Sequence, residues 1–153
     1  EMTSSLVGSE MCIRDRYIAG MGFSNVGLGI VHSMAHPLGA FYDTPHGVAN
    51  ATLLPYVMEY NAESPSRAKY LDIARAMGVK TDGMSVDEGV RAAVDAVKAL
   101  SLSIRIPQRL HELGVREEDI PGLAVAAFND VCTGGNPRPT SVEEIERLYH
   151  IAY

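Results

Sequence analysis

The sequence predicts an all-α protein, a bundle of helices without a β-sheet. No stretch alternates polar and β-branched residues with the period of two that strands require. Helix-start signals recur instead, because Ser85 and Ser141 each precede a glutamate three residues later, the spacing of a capping box. Threonine or serine before proline, at positions 44–45 and 64–65, is also typical of a helix N-terminus. We therefore expect one helical domain over residues 17–153.

Composition and charge narrow the classes of function. The hydrophobic content of 46% and the charged content of 21% are ordinary for a globular protein. A net charge of −6 without clustered Lys and Arg argues against a nucleic-acid surface. Apolar runs are interrupted before the roughly 20 residues of a membrane helix, and no secretory signal pattern is present. Cys12 and Cys132 form no CxxC pair, which favours a reducing, cytoplasmic location over a disulfide framework.

The first 16 residues, EMTSSLVGSEMCIRDR, differ from the rest of the chain. They have no sustained helical or strand period, and the run SSLVGSEMCIRDR resembles a translated adapter or assembly artefact. We interpret residues 1–16 as a non-family, artefactual leader; an ordinary flexible N-terminal segment is the alternative. The predicted domain therefore begins at Tyr17.

Residues 17–36 are apolar, with four glycines and no charged residue, which predicts a buried central helix. We expect an interruption around residues 22–25. Pro37 should end this helix and open a connection to Pro45, with Thr44 as the N-cap of the next helix. The remaining helices are predicted over residues 45–60, 64–77, 85–102, 117–130 and 141–152.

Three of the five histidines, His32, His36 and His46, fall within 15 residues. His32 and His36 are four residues apart and project from one face of a helix. The return through the connection can bring His46 beside His32. A metal ion satisfies several buried imidazoles at once, so the cluster indicates a metal site. From the residues alone, core or loop histidines bonded to backbone carbonyls remain an equal alternative.

The segment GMGFSNVGLGIVHSMAHPLGAFYDTPHGVANATLLPYVMEYN, which contains these histidines, resembles the C-terminal signature of the iron-containing (group III) alcohol dehydrogenases. NDVCTGGNPR is similar to a later motif of the same family, within it the lactaldehyde reductase or propanediol oxidoreductase type. The resemblance runs from about Tyr17 to Tyr153. It implies a helical bundle corresponding to the C-terminal metal-binding domain, without the nucleotide-binding domain of the parent enzyme.

The resemblance also implies roles for single residues. The family holds its metal with one Asp and three His, and His32 and His46 match the second and third of these histidines. His36 matches a family histidine beside the nicotinamide and the substrate, which implies a catalytic and cofactor-binding role rather than metal ligation. The positions that line the substrate channel are matched by Phe23, Leu28 and Cys132. Plain core packing, or for the cysteine an inert thiol, is the alternative for these three.

The implied activity is hydride transfer between NAD and a short alcohol or aldehyde such as 1,2-propanediol or lactaldehyde. Fe²⁺, or Zn²⁺ or another divalent cation, would act as a Lewis acid on the substrate oxygen. The parent enzyme is expected to be a homodimer. Because two metal ligands and the cofactor domain fall outside this sequence, we expect the isolated fragment to be inactive. Two alternatives stay open: a self-contained helical binding or scaffold domain with structural histidines, and a compact metalloenzyme that uses all three histidines.

Overall fold

A computed structural model describes the backbone of residues 2–153 and the side chains from Ile13 onward. All regular secondary structure in that range is helical, which confirms the predicted fold class. The α-helices of this range are α1 (Met2–Val26), α2 (Ile30–Tyr42), α3 (His46–Asn61), α4 (Tyr70–Ala76), α5 (Val86–Ser103), α6 (Ile120–Phe128) and α7 (Val142–Ala152). Short 3₁₀ helices lie at Pro65–Lys69, Leu110–Leu113, Glu117–Asp119 and Thr133–Gly135.

The N-terminal part of the chain departs from the predicted buried helix. Residues 17–26 are part of α1, and their large apolar side chains are exposed, Val26 by 81%. The reason is that no other helix of the described range packs closely on α1. The helix is interrupted at residues 27–29, where Gly27 has a φ of +84°. The predicted interruption around residues 22–25 is therefore in the wrong place. Of the segment predicted to be buried, only the part from Ile30 onward, in α2, is confirmed as buried. The foreign origin of residues 1–16 stays a prediction.

The connection between α2 and α3 is shorter than predicted. α2 continues through Pro37, so the prediction that this proline ends the helix is wrong. Pro37 costs a backbone hydrogen bond, but it is buried where α2 packs on α3 and α6, and this packing outweighs the loss. The turn begins at Asp43, whose φ is +53°. α3 has Pro45 as its N-cap without a side-chain hydrogen bond, so Thr44 is buried but does not cap the helix.

The other predicted helices are present, with two of them shortened. α5 begins with the expected capping box: the Ser85 hydroxyl accepts from the Glu88 amide, and the Glu88 carboxylate accepts from the Ser85 amide at 2.7 Å. At α7, Ser141 accepts from the Glu144 amide in the same way. The segments predicted over 64–77 and 117–130 each start as a 3₁₀ helix before α4 and α6 begin.

Two hydrophobic cores hold these helices together. The larger one joins α2, α3, α6 and α7 around fully buried side chains that include Ile30, Met34, Leu38, Leu53 and Tyr149. The smaller one lies between α4 and α5 around Tyr70, Ala74, Ala93 and Val94. None of the described helices combines the length and the hydropathy that crossing a lipid bilayer requires. The larger core positions the histidines, because it fixes α2 against α3.

Candidate metal centre

The three clustered histidines come together where α2 packs against the start of α3. The ring centroids of His32 and His46 lie 5.4 Å apart, those of His36 and His46 5.5 Å, and those of His32 and His36 6.3 Å. Two imidazoles that bind one ion at about 2.1 Å each have centroids at most about 6.5 Å apart. The spacing therefore fits a shared cation, and other contacts must distinguish the three rings.

His32 is partly buried, and its surroundings favour the neutral ring. Burial lowers the pKa of His32, and the neighbouring His46 and His36 lower it further, whereas Asp130 opposes the shift. A metal binds the unprotonated nitrogen of imidazole, so a lower pKa leaves the ligand ready at a lower pH. The electrostatics of this position thus suit a cation ligand.

His46, the first residue of α3, is exposed and is held by Asn50 one turn later. The Asn50 amide nitrogen lies 3.1 Å from Nε2 of His46 and donates at 2.8 Å to the carbonyl oxygen of the same residue. The side-chain oxygen of Asn50 is buried without a hydrogen-bond partner. A buried polar atom left without a partner is costly, and an added ion or ligand is one explanation for it.

His36 differs from the other two histidines because a carboxylate takes one of its nitrogens. Nδ1 of His36 lies 2.7 Å from Oδ2 of Asp130, and the two side chains are 39% and 18% exposed. The other carboxylate oxygen, Oδ1, accepts from the backbone amide of Cys132 at 2.8 Å. This arrangement fits the predicted non-ligand role of His36, which stays a prediction.

Asp130 is the site residue that sequence reasoning missed. Burial alone would raise the pKa of Asp130, but hydrogen bonds from the Cys132 amide and from His36 outweigh it and hold the pKa below its usual range. The carboxylate is therefore ionised at neutral pH. One signal was available, since Asp130 is the only charged residue between Asp119 and Arg138. Its partner was not visible, because 94 positions separate it from His36.

A second set of possible metal ligands shares His36. Among the residues that the structure describes, His36, Asp130 and Cys132 bring ligand atoms within 4.8 Å of one another. Metal binding needs the thiolate, however, and burial together with a hydrogen bond to Asp130 raises the pKa of Cys132. The short contact between His36 and Asp130 is also accounted for by a hydrogen bond. We therefore favour a hydrogen-bonded group over a metal site at this trio.

The predicted channel residues occupy three different places. Leu28 lines an open cleft of about 420 Å³ together with His32, beside the Gly27–Gly29 break. Cys132 lies next to Asp130 and His36 at the start of the Thr133–Gly135 turn. Phe23 is on α1, 51% exposed, and is not among the described residues that line the cleft. The geometry thus brings Leu28 and Cys132, but not Phe23, to the histidine cluster.

The turn after Cys132 is fixed against the start of α2. Asn136 accepts from the Ile30 amide at 3.4 Å and exchanges two hydrogen bonds with Asn61 of α3, at 3.0 and 2.8 Å. A Cβ at Gly135 would collide with the carbonyl oxygen of Leu28. Only glycine permits this approach, so the turn and the cleft wall are built as one unit.

The arrangement defines a helical domain with a cluster of three histidines beside a cleft, and comparison with known proteins assigns the class. The profile described as "Fe-containing alcohol dehydrogenase family, C-terminal" matches residues 7–153. The chain belongs to this family. The match begins ten residues before Tyr17, inside the leader region.

Individual relatives agree with the family assignment. The chain is 63% identical to lactaldehyde reductase of Escherichia coli (strain K12) over 146 residues, which cover 95% of this chain and 38% of that protein. It is 44% identical to 1,3-propanediol dehydrogenase of Citrobacter freundii over 150 residues, or 98% of this chain and 38% of the relative. The chain therefore spans well under half the length of these relatives.

Solved structures confirm the fold. The alcohol dehydrogenase from Oenococcus oeni superposes with a TM-score of 0.84 at 41% identity, over 88% of this chain and 35% of that one. A 1,3-propanediol oxidoreductase superposes with a TM-score of 0.80 at 44% identity, over 82% of this chain and 33% of the other. The helical arrangement described above is thus shared with about a third of each of these two proteins.

Proposed function

We propose that this chain is the metal-binding helical part of an NAD-linked alcohol dehydrogenase that interconverts short alcohols and aldehydes, with lactaldehyde and 1,2-propanediol as substrates. In this proposal His32 and His46 bind the divalent cation, and His36 contacts substrate and nicotinamide. The observation that carries it is the 5.4 Å separation of the His32 and His46 rings on adjacent helices. Family membership and the 63% identity to lactaldehyde reductase support the reaction type.

The chain's own residues fit a cation such as Fe²⁺ or Zn²⁺. Imidazole nitrogen is a ligand that borderline divalent metals accept, so the donors alone do not choose between iron and zinc. The lowered pKa of His32 keeps that donor unprotonated. The unpartnered oxygen of Asn50 beside His46 also marks a polar environment that is incomplete among the described residues. We infer that Fe²⁺ is the resident ion from the family alone.

When bound, the divalent cation and NAD supply a Lewis acid for the substrate oxygen and a hydride carrier. His36 handles the proton that must accompany hydride transfer. With Nδ1 held by Asp130, its Nε2 is the nitrogen free to hydrogen-bond the substrate oxygen. In alcohol oxidation Nε2 accepts the hydroxyl proton, and in aldehyde reduction the same nitrogen returns it.

The cleft beside His32 accounts for a preference for small substrates. Leu28 and Leu54 line it with aliphatic surface, and the Gly135–Pro137 stretch closes its other side. Cys132 adds a small side chain next to His36. We place Phe23 in the channel wall only on the family resemblance. The proposal also includes a homodimeric parent enzyme, and a cytoplasmic location, which suits the free thiol of Cys132.

The proposal is tested in an intact enzyme, made by joining residues 17–153 to the amino-terminal portion of the E. coli lactaldehyde reductase. We expect this chimera to bind about one Fe²⁺ or Zn²⁺ per chain and to reduce lactaldehyde with NADH. His32→Ala and His46→Ala should each lower metal affinity and activity by at least about 100-fold, with an unchanged helical circular dichroism spectrum. Metal content and initial rates are the measurements.

His150→Ala is the matched control, because His150 is an exposed histidine of α7 on another part of the molecule. His150→Ala should leave the metal content and the initial rate within twofold of those of the unsubstituted chimera, a difference of about 0.4 kcal/mol. Loss of fold in both site variants, with no effect on metal, would favour the scaffold alternative. Equal metal loss in His36→Ala would favour the three-histidine metalloenzyme.

The isolated chain gives a second test. With two proposed ligands it should bind Fe²⁺ or Zn²⁺ more weakly than micromolar and show no NADH-dependent reduction of lactaldehyde or glycolaldehyde. Calorimetric titration and a coupled spectrophotometric assay measure these. Submicromolar binding would mean that a complete local site exists and that our ligand assignment is wrong.

A further inference from the structure

The contact between His36 and Asp130 joins two segments that are distant in sequence. His36 lies in α2, the helix that contributes Ile30, Met34 and Leu38 to the larger core, and Asp130 lies just after α6. Their 2.7 Å contact is matched by the 2.8 Å bond from the Cys132 amide to the other carboxylate oxygen. Both carboxylate oxygens are therefore occupied, and the group has little freedom to rotate.

We propose that Asp130 is a positioning residue for His36: its carboxylate fixes the orientation and the tautomer of that ring by accepting the Nδ1 proton. This inference rests on the proposed function, because it gives His36 a substrate to act on. Asp130 itself contacts no substrate and binds no metal in this scheme. Its effect reaches the substrate only through the ring that it holds.

The physical reason is that a neutral imidazole has two tautomers, and the hydrogen bond made by one nitrogen decides which tautomer is present. An ionised carboxylate only accepts hydrogen bonds, so the nitrogen facing Asp130 must carry the proton. Nε2 is then left with its lone pair. Without Asp130, the proton distributes over both nitrogens, and a ring that is 39% exposed can turn about its side-chain bonds.

The surrounding turn fixes the carboxylate as well. Thr133 donates to the Ala127 carbonyl oxygen at 2.7 Å and lies 2.8 Å from the hydroxyl of Ser33, which belongs to α2. These bonds tie the end of α6 to the helix that carries His36. The distance between Asp130 and His36 is therefore set by a framework on both sides, as positioning requires.

The ring tautomer is read directly by long-range ¹H–¹⁵N spectra of the 153-residue chain at alkaline pH, with His36→Asn used to assign the signal. In the native chain the proton should be on Nδ1. In Asp130→Ala it should move in large part to Nε2, whereas Asp130→Glu should retain some of the native preference. Asp95→Asn, an exposed carboxylate of α5, is the control. An unchanged tautomer in Asp130→Ala would overturn the proposal.

Activity in the chimeric enzyme is the second measurement, and it decides the question if the isolated variant does not fold. Asp130→Asn should lower kcat by about 10- to 100-fold, with KM and metal content within about threefold. Asp130→Glu should recover part of kcat. Retained kcat in Asp130→Asn would overturn positioning. Loss of metal in the same variant would also overturn it, because Asp130 would then be a ligand.

The two proposals fail in different ways. An inactive, metal-free native chimera whose His36 proton still responds to Asp130 would contradict the proposed function while supporting the carboxylate–histidine contact. An active chimera that tolerates Asp130→Ala would contradict the positioning role alone. Zinc binding by the isolated chain that disappears in Cys132→Ser would also overturn the proposal, in favour of a metal held by His36, Asp130 and Cys132.

Discussion

The site region and the α4–α5 pair are both helical but are stabilised differently. The site region comprises α2, the start of α3 and the Cys132–Asn136 turn. Its helices begin without a side-chain cap, and both contain a proline. The α4–α5 pair has a complete capping box at α5 and an exposed ion pair between Arg75 and Asp72 within α4. The start of α5 therefore carries a helix-start signal in its local sequence, whereas α2 and α3 begin without one and contain a proline.

The difference indicates where each region gets its stability. The start of α2 is held by Asn136, more than 100 positions later in the chain, and its helix is buried against α3 and α6. Tertiary packing thus replaces the local signals that the histidine segment lacks. In α5 the two residues of the signal, Ser85 and Glu88, lie within one turn of each other, so the signal is local to the helix that it starts. The proposed function would account for the asymmetry, because glycines and histidines at the cleft take positions where other residues would favour a helix.

The largest expected effect tests the tertiary part of this comparison. Leu38→Ala removes a fully buried side chain of α2 from the larger core and should lower the free energy of unfolding by about 3 kcal/mol. Val94→Ala in the smaller core removes less volume and should cost about 1–2 kcal/mol. Urea unfolding followed by circular dichroism measures both. Leu102→Ala, at a 66% exposed position, is the control and should change the free energy of unfolding by less than about 0.5 kcal/mol. A loss for Leu38→Ala as small as that for Leu102→Ala would mean that packing in the larger core does not stabilise α2.

A smaller effect is expected where the turn meets the break before α2. Gly135→Ala forces a Cβ against the Leu28 carbonyl oxygen, so the backbone must move. This strain should lower the free energy of unfolding by about 1–3 kcal/mol. Gly134→Ala is the matched control, because a Cβ there meets nothing within 4 Å. In the chimeric enzyme Gly135→Ala should also raise the KM for lactaldehyde, since Leu28 lines the cleft. If the two alanine variants behaved alike, the turn would not be part of the cleft wall.

How much the sequence could predict follows the same division. The α5 start was predicted correctly because Ser85 and Glu88 carry the signal within one turn. Pro37 misled the prediction, because its cost is outweighed by burial that appears only in three dimensions. The sequence also predicted that His32 and His46 come together, and their ring centroids lie 5.4 Å apart, while their role as metal ligands stays a prediction. Asp130 was missed, since its partner is 94 positions away and no local pattern links them.

The exposure of residues 17–26 has a related cause. The sequence indicated burial because the segment is apolar and uncharged, and composition alone does not say what covers it. No other described helix packs closely on this part of α1, whose Ile18, Met21 and Phe23 are about half exposed. Apolar composition therefore predicted a burial that the described helices do not provide.

The smallest expected effect tests the local part of the comparison. Ser85→Ala removes the cap of α5 and should cost about 1 kcal/mol at neutral pH, measured by urea unfolding. Hydrogen bonds from the Ser85 amide and hydroxyl lower the pKa of Glu88 from its ordinary 4.5. The folded chain thus binds fewer protons than the unfolded one, and this stabilisation is fully present above pH 4.5 and is lost as the pH falls through the lowered pKa. The difference in the free energy of unfolding between Ser85→Ala and the native chain should therefore narrow below pH 4.5.

Ser103→Ala, at the exposed end of α5, is the control and should change the free energy of unfolding by less than about 0.5 kcal/mol at any pH. A cost of Ser85→Ala that stayed constant through the acid range would mean that the Glu88 carboxylate contributes nothing to the capping box, and that the Ser85 hydroxyl alone caps α5.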